Sequence, residues 1–170
     1  MKKVIGVCLV LVLMTAAIPA LATTVPSKTT NDLYTIEDYN VPLAGLFTIL
    51  DALTPDAQAE YDAIAAYVGE GHTVAEYFGV DAPGMDLSEY LSLGINNYQA
   101  DYGDVTATFG LVTEYQVGQP IIVMFGYTGD NGKIVWNALT AEVVEGGVQI
   151  DFPSDLLLKA GDLAILAILA

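Results

Sequence analysis

The fold is decided by residues 121–152, which read IIVMFGYTGDNGKIVWNALTAEVVEGGVQIDF. Runs rich in β-branched and aromatic residues alternate here with short turn sequences, a pattern typical of consecutive antiparallel strands. Asn131-Gly132 and Gly146-Gly147 favour tight hairpins, because glycine adopts a positive φ at little steric cost. The pattern therefore predicts strands over 121–127, 134–139, 141–145 and 148–152.

The β-rich pattern extends to both sides of this stretch. We expect further strands over 105–115 and 163–169, and a short first strand over 95–99. Pro153-Ser154-Asp155 predicts a single helical turn that crosses between sheets. Seven short strands at this spacing favour a sandwich of two antiparallel sheets, immunoglobulin-like in architecture, over residues 95–170.

Residues 41–94 have a helical pattern instead. The chain is therefore predicted to be an α+β protein, with an N-terminal helical segment followed by a C-terminal antiparallel β-sandwich. Four stretches of this segment contain helix signals. We expect the first two to form full helices and the last two to form short ones, because the later stretches combine helix start signals with glycine stops. The predicted helix signals are Pro42 with Leu43, Leu46, Phe47 and Leu50; Thr54-Pro55-Asp56 up to Gly69; Thr73-x-x-Glu76 up to Gly79; and Asp86-x-x-Glu89 up to Gly94.

The predicted last strand, residues 163–169, is apolar on both faces. Three explanations fit this pattern. The strand is central and covered on both sides, or it packs against the helical segment on its outer face, or it completes the sheet edge of another subunit. We favour the second explanation, which would join the two halves of the chain.

The first 22 residues have the pattern of a secretory signal peptide. Lys2 and Lys3 precede an apolar run of about ten residues, and Ala20-Leu21-Ala22 provides a small-residue cleavage site. Residues 23–40, rich in Thr, Ser, Asn and Asp, predict a flexible leader. We therefore expect a secreted, extracellular protein that does not insert into a membrane after cleavage. Because Cys8 lies in the signal peptide, the mature chain would have no disulfide or thiolate site.

The charge balance excludes several kinds of partner. The chain contains five lysines, no arginine and 21 acidic residues, with a formal net charge of −16. Lys2 and Lys3 account for +2 of this, so the residues after the signal peptide carry −18. A chain this acidic cannot neutralise a phosphate backbone, so we expect no nucleic-acid partner. Anionic membrane surfaces would repel it for the same reason.

Several short sequences are similar to those of uncharacterised short secreted proteins of anaerobic Gram-positive bacteria. These sequences are 26–33, Tyr98 with 102–109, 117–120, Val135-Trp136 and Phe152-Pro153. The resemblance covers most of the chain and includes no catalytic motif. It implies an exported protein of this fold and no particular activity.

Few residues indicate catalysis. His72 is the only histidine, so it has no second histidine or mature cysteine as a metal-binding partner. Two carboxylate pairs, Asp81 with Asp86 and Glu70 with Glu76, allow a small carboxylate-dependent glycoside hydrolase. We expect no cofactor; if an ion binds, calcium is the better candidate, since it prefers hard oxygen ligands. The predicted metal ligands are Asn97, Asp101 and Asp104.

Tyrosines near turns and strand ends are the candidate ligand-binding residues. Tyr98, Tyr102 and Tyr127 each offer a flat apolar face and one hydroxyl, which suits sugar rings and protein interfaces. We therefore expect a non-enzymatic binding or cell-surface-associated module with an extracellular glycan or protein as its partner. The main alternative is an extracellular structural protein that self-assembles by edge-strand pairing. The sequence leaves the oligomeric state open.

Overall fold

The computed structural model describes residues 35–37 and 45–170. The predicted signal peptide, 1–22, and most of the predicted leader, 23–40, lie outside these residues. The described part forms nine strands, three α-helices and a 3-10 helix at Ala100–Tyr102. The strands and α-helices are β1 (Thr35–Glu37), β2 (Phe47–Ile49), α1 (Pro55–Gly69), α2 (Val74–Phe78), β3 (Leu87–Ile95), β4 (Val105–Gly110), β5 (Ile122–Thr128), β6 (Ile134–Leu139), β7 (Ala141–Val144), β8 (Gly147–Phe152), α3 (Ser154–Ala160) and β9 (Leu163–Leu169).

The strands form two antiparallel sheets, which confirms the prediction of an antiparallel β-rich fold. One sheet has the order β1-β4-β8-β7, and the other has the order β2-β3-β9-β5-β6. Both predicted hairpins are present: Asn131-Gly132 lies in the turn between β5 and β6, and Gly146 lies in the turn between β7 and β8, with Gly147 as the first residue of β8. The predicted bounds of β6 and β9 agree with the structure.

A phenylalanine cluster fills the space between the two sheets. Phe47 from the five-stranded sheet packs against Phe152 of the four-stranded sheet, with ring centroids 4.6 Å apart. Phe125 and Phe109, from opposite sheets, also contact Phe152, each with centroids 5.9 Å away. All four side chains belong to one buried core. Burial of this apolar surface stabilises the stacking of the sheets.

Strand β9 lies in the middle of the five-stranded sheet, between β3 and β5. Its Leu166 and Ile168 face the core between the sheets. Its Ile165 and Ala167 lie in a second buried cluster, which also contains Ile64 of α1. The helices therefore cover the outer face of β9, as in the second of the three explanations. Since β9 is paired along both edges, it has no free edge for another subunit.

The predicted helix over 86–94 is wrong, because Leu87–Ile95 is strand β3. Nearly every side chain of β3 is buried, and the strand pairs with β9 along its length. Tertiary burial on both faces has overridden a local sequence that resembles a helix start. The strand runs across the predicted boundary between residues 94 and 95, and the predicted short strand over 95–99 is absent, since residues 96–99 lie outside β3 and β4.

The helix predicted from Pro42 is wrong in its described part. Phe47–Ile49 is strand β2, which pairs with the end of β3, and Pro42 and Leu43 lie outside the described residues. Phe47 and Ile49 share the buried core between the sheets, because residues two apart in a strand face the same side.

The two remaining helix predictions are confirmed. The Thr54 side chain caps α1 by accepting the Ala57 N–H at 3.3 Å, and the Thr73–Glu76 capping box is formed at α2. Helix α3 spans seven residues rather than the single turn predicted. No helix in the described part of the chain is both long and apolar enough to cross a membrane.

Candidate functional site

A groove lies where the first turns of α1 approach the hairpin of β5 and β6. Helix α1 starts at Pro55 because the Thr54 cap satisfies an N–H of its first turn and proline suits that position. Asp56 and Glu60 are then four residues apart and project from one side of the helix. We name this site the α1–hairpin groove and define it by six residues: Asp56, Glu60, Tyr77, Tyr127, Thr128 and Lys133.

The Glu60 carboxylate is fixed by two donors that share one of its oxygens. The Trp136 indole Nε1–H donates to Glu60 Oε1 at 2.8 Å, and the Tyr77 hydroxyl donates to the same oxygen at 2.8 Å. None of the described residues donates a hydrogen bond to Glu60 Oε2. Because one oxygen is held by two rigid aromatic donors, the other is a pre-positioned acceptor.

Aromatic packing holds both donors in place. The Trp136 ring packs edge-on against Phe78 at 4.8 Å and contacts Tyr90 at 6.4 Å. Tyr77 packs edge-on against Phe78 at 5.6 Å. Burial and the neighbouring Glu60 carboxylate raise the pKa of Tyr77 well above its usual value, so its hydroxyl remains a donor even at alkaline pH.

Two cavities adjoin along the groove. The larger has a volume of about 380 Å³ and is lined by Asp56, Ala59, Glu60, Tyr77, Gly132, Lys133 and Ile134. The smaller has a volume of about 200 Å³ and is lined by Thr54, Pro55, Asp56, Gly126, Tyr127, Thr128, Ile134, Leu163, Ala164 and Ile165. Asp56 and Ile134 line both cavities, so a ligand can occupy the two together.

The charged groups of the larger cavity are only partly engaged. The Thr128 hydroxyl donates to Asp56 Oδ2 at 3.1 Å, while Asp56 Oδ1 accepts no hydrogen bond from the described residues. The Lys133 ammonium forms no ion pair within the described part of the chain. The cavity therefore combines carboxylate acceptors with a cationic donor, which suits a ligand whose groups both donate and accept hydrogen bonds.

The structure separates the three predicted ligand-binding tyrosines. Tyr127 lines the smaller cavity of the groove. Tyr98 and Tyr102 pack edge to face at 6.0 Å beside the 3-10 helix, and neither lines the groove cavities. The Tyr98 hydroxyl donates to the Gly103 carbonyl oxygen at 2.5 Å, and burial raises its pKa. Only Tyr127 therefore lies beside the groove, and its ring packs on the other face of β5, against Phe125 and the core between the sheets.

The predicted metal ligands lie around the same 3-10 helix. Asn97 has a positive φ of 56°, and Asp104 Oδ1 accepts the Ser154 backbone N–H at 2.8 Å. Asp101 and Asp104 both lie close enough to Tyr98 to raise its pKa through their charge. Within the described residues, no three His, Cys, Asp or Glu side chains form a group that could hold a metal. The calcium site stays a prediction.

The other sequence candidates lie away from the groove. The His72 ring stacks on Tyr67 at 4.2 Å, and its Nδ1 is 3.7 Å from Glu76 Oε2. Glu76 Oε2 also accepts the Thr73 N–H of the capping box, a bond that lowers the pKa of Glu76. Neither groove cavity is lined by a member of the predicted carboxylate pairs, which are Asp81 with Asp86 and Glu70 with Glu76.

A third cavity, of about 340 Å³, lies between the loop after β4 and the hairpin of β7 and β8. Its charged lining residues are Glu114 and Glu145, and both are acidic. The loop is held by Glu89, a buried residue whose Oε1 accepts the Thr113 N–H at 2.8 Å. This cavity has no cationic donor, so we favour the groove.

Sequence reasoning missed Asp56, Glu60, Tyr77, Thr128 and Lys133. The spacing of Asp56 and Glu60 on a correctly predicted helix was the available signal, since residues four apart share a helix face. Tyr77 and Lys133 meet them only through tertiary packing, which no local pattern encodes.

Comparison with protein-family models, curated proteins and solved structures found no match for this chain.

Proposed function

We propose that the chain is a secreted, non-enzymatic binding module that holds an extracellular glycan in the α1–hairpin groove. The observation that carries this proposal is the Glu60 carboxylate. Its Oε1 is held by Trp136 and Tyr77, while its Oε2 accepts no hydrogen bond from the described residues. A fixed acceptor costs little entropy when a ligand hydroxyl binds to it.

The chemistry of the larger cavity supports a sugar. Each sugar hydroxyl both donates and accepts, so it can pair with the carboxylates of Asp56 and Glu60 and with the Lys133 ammonium. The volume of about 380 Å³ lies within the range of roughly 300–1,000 Å³ that is common for small-molecule sites. A net charge of −16 repels anionic ligands, so we propose a neutral glycan.

The architecture is consistent with a binding module. We propose that the two packed antiparallel sheets are immunoglobulin-like, with the helices of residues 55–78 covering one outer face. Hairpins and loops at sheet ends commonly provide binding residues on a rigid scaffold, and the β5–β6 hairpin with Lys133 is such a loop. A glycan rather than a protein partner is favoured because the groove is concave and mixes charges.

Binding can be measured with the protein's own fluorescence. Trp136 is the single tryptophan of the chain, and its indole N–H contacts Glu60 directly. Titrating the purified protein with neutral gluco-, manno-, xylo- and N-acetylgluco-oligosaccharides should change this emission saturably for at least one of them. Sialylated and sulfated glycans should leave the emission unchanged.

The variant Glu60→Gln tests the role of the carboxylate. Its amide oxygen still accepts from Trp136 and Tyr77, but its NH₂ group replaces the free acceptor oxygen. We expect affinity to fall about tenfold or more, since a hydrogen bond to a charged group contributes about 1.5–3 kcal/mol. The matched control is Glu70→Gln, at the exposed end of the same helix. The proposal would be overturned if Glu60→Gln and Glu70→Gln bound the glycan equally well. It would also be overturned if no neutral glycan changed the emission, or if the protein hydrolysed the bound glycan.

A further inference from the structure

The smaller cavity of the groove differs in character from the larger one. Most of its lining is carbon, from Pro55, Gly126, Ile134, Leu163, Ala164 and Ile165. Leu163 is 49% exposed at the start of β9, whose next six residues are all buried. A ligand group that covered Leu163 would remove this apolar surface from water, which favours binding.

The size of this cavity limits what it can hold. Its volume of about 200 Å³ is below the roughly 300 Å³ at which whole-ligand pockets begin. It therefore suits one substituent of a larger ligand. Because Asp56 and Ile134 line both cavities, that substituent would belong to a ligand bound in the larger one.

Two polar groups border the apolar lining. Asp56 Oδ1 has no donor within the described part of the chain. The Thr54 Oγ1 accepts the Ala57 N–H, which leaves its hydroxyl proton available to donate. The Tyr127 ring packs against Phe125 and the core between the sheets, so its hydroxyl lies on the other face of β5. The site thus offers one acceptor and one donor beside an apolar surface.

We propose that this cavity is a subsite for the acetamido group of an N-acetylated sugar. The methyl group would pack against Leu163 and its apolar neighbours, the amide N–H would donate to Asp56, and the carbonyl oxygen would accept from the Thr54 hydroxyl. This inference rests on the proposed function, because the sugar ring itself is placed in the larger cavity.

The test compares three trisaccharides on the same protein: the N-acetylglucosamine trimer, the glucose trimer and the glucosamine trimer, each followed by Trp136 emission. We expect the N-acetylated trimer to bind at least about tenfold more tightly than the glucose trimer. The glucosamine trimer has ammonium groups but no acetyl groups. If it binds as tightly as the N-acetylated trimer, charge attraction to the acidic chain explains the binding and the acetamido subsite is wrong.

The variant Leu163→Ala links the preference to the cavity. We expect it to lower the ratio of N-acetylated to plain affinity about fivefold, because methyl packing is lost. Leu158→Ala, at a 52% exposed leucine on α3 outside the groove, is the matched control and should keep the ratio. If all trimers bind equally, or if Leu163→Ala leaves the ratio unchanged, the subsite is wrong while the glycan site stands. If no oligosaccharide binds, the proposed function fails as well.

Discussion

Trp136 lies across Gly126, its partner in register on the neighbouring strand. A Cβ placed on Gly126 would come within 2.7 Å of the Trp136 ring atom Cζ3. The glycine therefore provides the space in which the indole lies flat on the sheet. From that position the indole N–H reaches Glu60, 76 residues earlier in the chain. The absence of a side chain at Gly126 on β5 therefore allows Trp136 to hold the Glu60 carboxylate of α1 in place.

Gly126→Ala should displace the Trp136 ring and weaken its contact with Glu60. We expect the free energy of unfolding to fall by about 1–3 kcal/mol, the usual range for overpacking. The emission of Trp136 should shift, because the indole leaves its packed position. Urea denaturation and the emission spectrum check both effects. Unchanged stability with an unchanged spectrum would show that the ring adjusts without cost.

The hydrogen bonds that Trp136 and Tyr77 donate to Glu60 predict that Glu60→Ala and Glu60→Gln differ in stability. Glu60→Ala leaves the half-buried Trp136 N–H and Tyr77 hydroxyl without their acceptor, and we expect a loss of about 1–3 kcal/mol in the free energy of unfolding. Glu60→Gln keeps an oxygen acceptor and should lose less than about 1 kcal/mol. Urea denaturation of both variants measures the difference. If the two variants are equally stable, the donors do not depend on this oxygen.

Local sequence signals predicted those elements whose ends are set by their own residues. The caps at Thr54 and Thr73 and the glycine turns of both hairpins act within a few residues, so α1, α2, β6 and β8 could be located. Strand β3 could not, because Asp86 and Glu89 have the spacing of a helix start. Its strand conformation comes from pairing with β9, about 75 residues later in the chain.

The candidate site was predictable only in part for the same reason. Tyr127 was identified because it lies near the end of a predictable strand. The contacts of Glu60 with Tyr77 and Trp136 span 17 and 76 residues of sequence. Such contacts depend on how α1, α2 and β6 pack together, so no local spacing indicates them.

Alkaline pH should destabilise the fold through its buried tyrosines. The Tyr90 hydroxyl donates to the Ala57 carbonyl oxygen at 2.9 Å, and burial together with the charge of Glu60 raises the pKa of Tyr90. The unfolded chain loses this proton near pH 10, whereas the folded chain retains it to higher pH. The stabilisation is therefore complete below about pH 10 and is lost as the pH rises above that value.

The variant Tyr90→Phe isolates this contribution. It should make the decline of unfolding free energy above pH 10 shallower by up to about 1.4 kcal/mol per pH unit, since one fewer proton is held. At pH 8 it should cost about 1 kcal/mol through the lost hydrogen bond. Urea denaturation between pH 8 and 11 gives both values. Tyr102→Phe is the control, because the Tyr102 hydroxyl bonds to none of the described residues. Parallel pH profiles for wild type and Tyr90→Phe would refute the linkage.

Two glycine-to-alanine substitutions should act in opposite directions. A Cβ on Gly147 would lie 2.1 Å from the backbone carbonyl oxygen of Phe109 on the neighbouring strand β4. Because this oxygen belongs to the backbone, no side-chain motion can relieve the clash. We expect Gly147→Ala to lower the free energy of unfolding by more than about 3 kcal/mol. Gly69 ends α1, and a Cβ added there would meet no atom within 4 Å beyond the adjoining helix backbone, so Gly69→Ala should stabilise by up to about 1 kcal/mol. Thermal denaturation of both variants tests the prediction. Gly147→Ala should melt at a lower temperature than the wild type, and Gly69→Ala should melt at a higher one. If both variants shift in the same direction, the prediction is wrong.

Added monovalent salt should raise the melting temperature at neutral pH. The chain carries a net charge of −16, and the described residues contain one lysine–carboxylate ion pair, Lys159–Asp155. The His72–Glu76 contact is an ion pair only when His72 is protonated, and both contacts lie at exposed positions. Carboxylate repulsion is therefore largely uncompensated, and it favours the expanded, unfolded chain. Raising NaCl from 0.01 M to 0.15 M shortens the screening length from about 30 Å to about 8 Å and should weaken this repulsion. The salt effect should shrink as the pH approaches the pI of about 4.1, where the net charge vanishes. A melting temperature that does not change with NaCl at pH 7 would show that the carboxylates are already neutralised, which is the result expected if cations bind to the acidic surface.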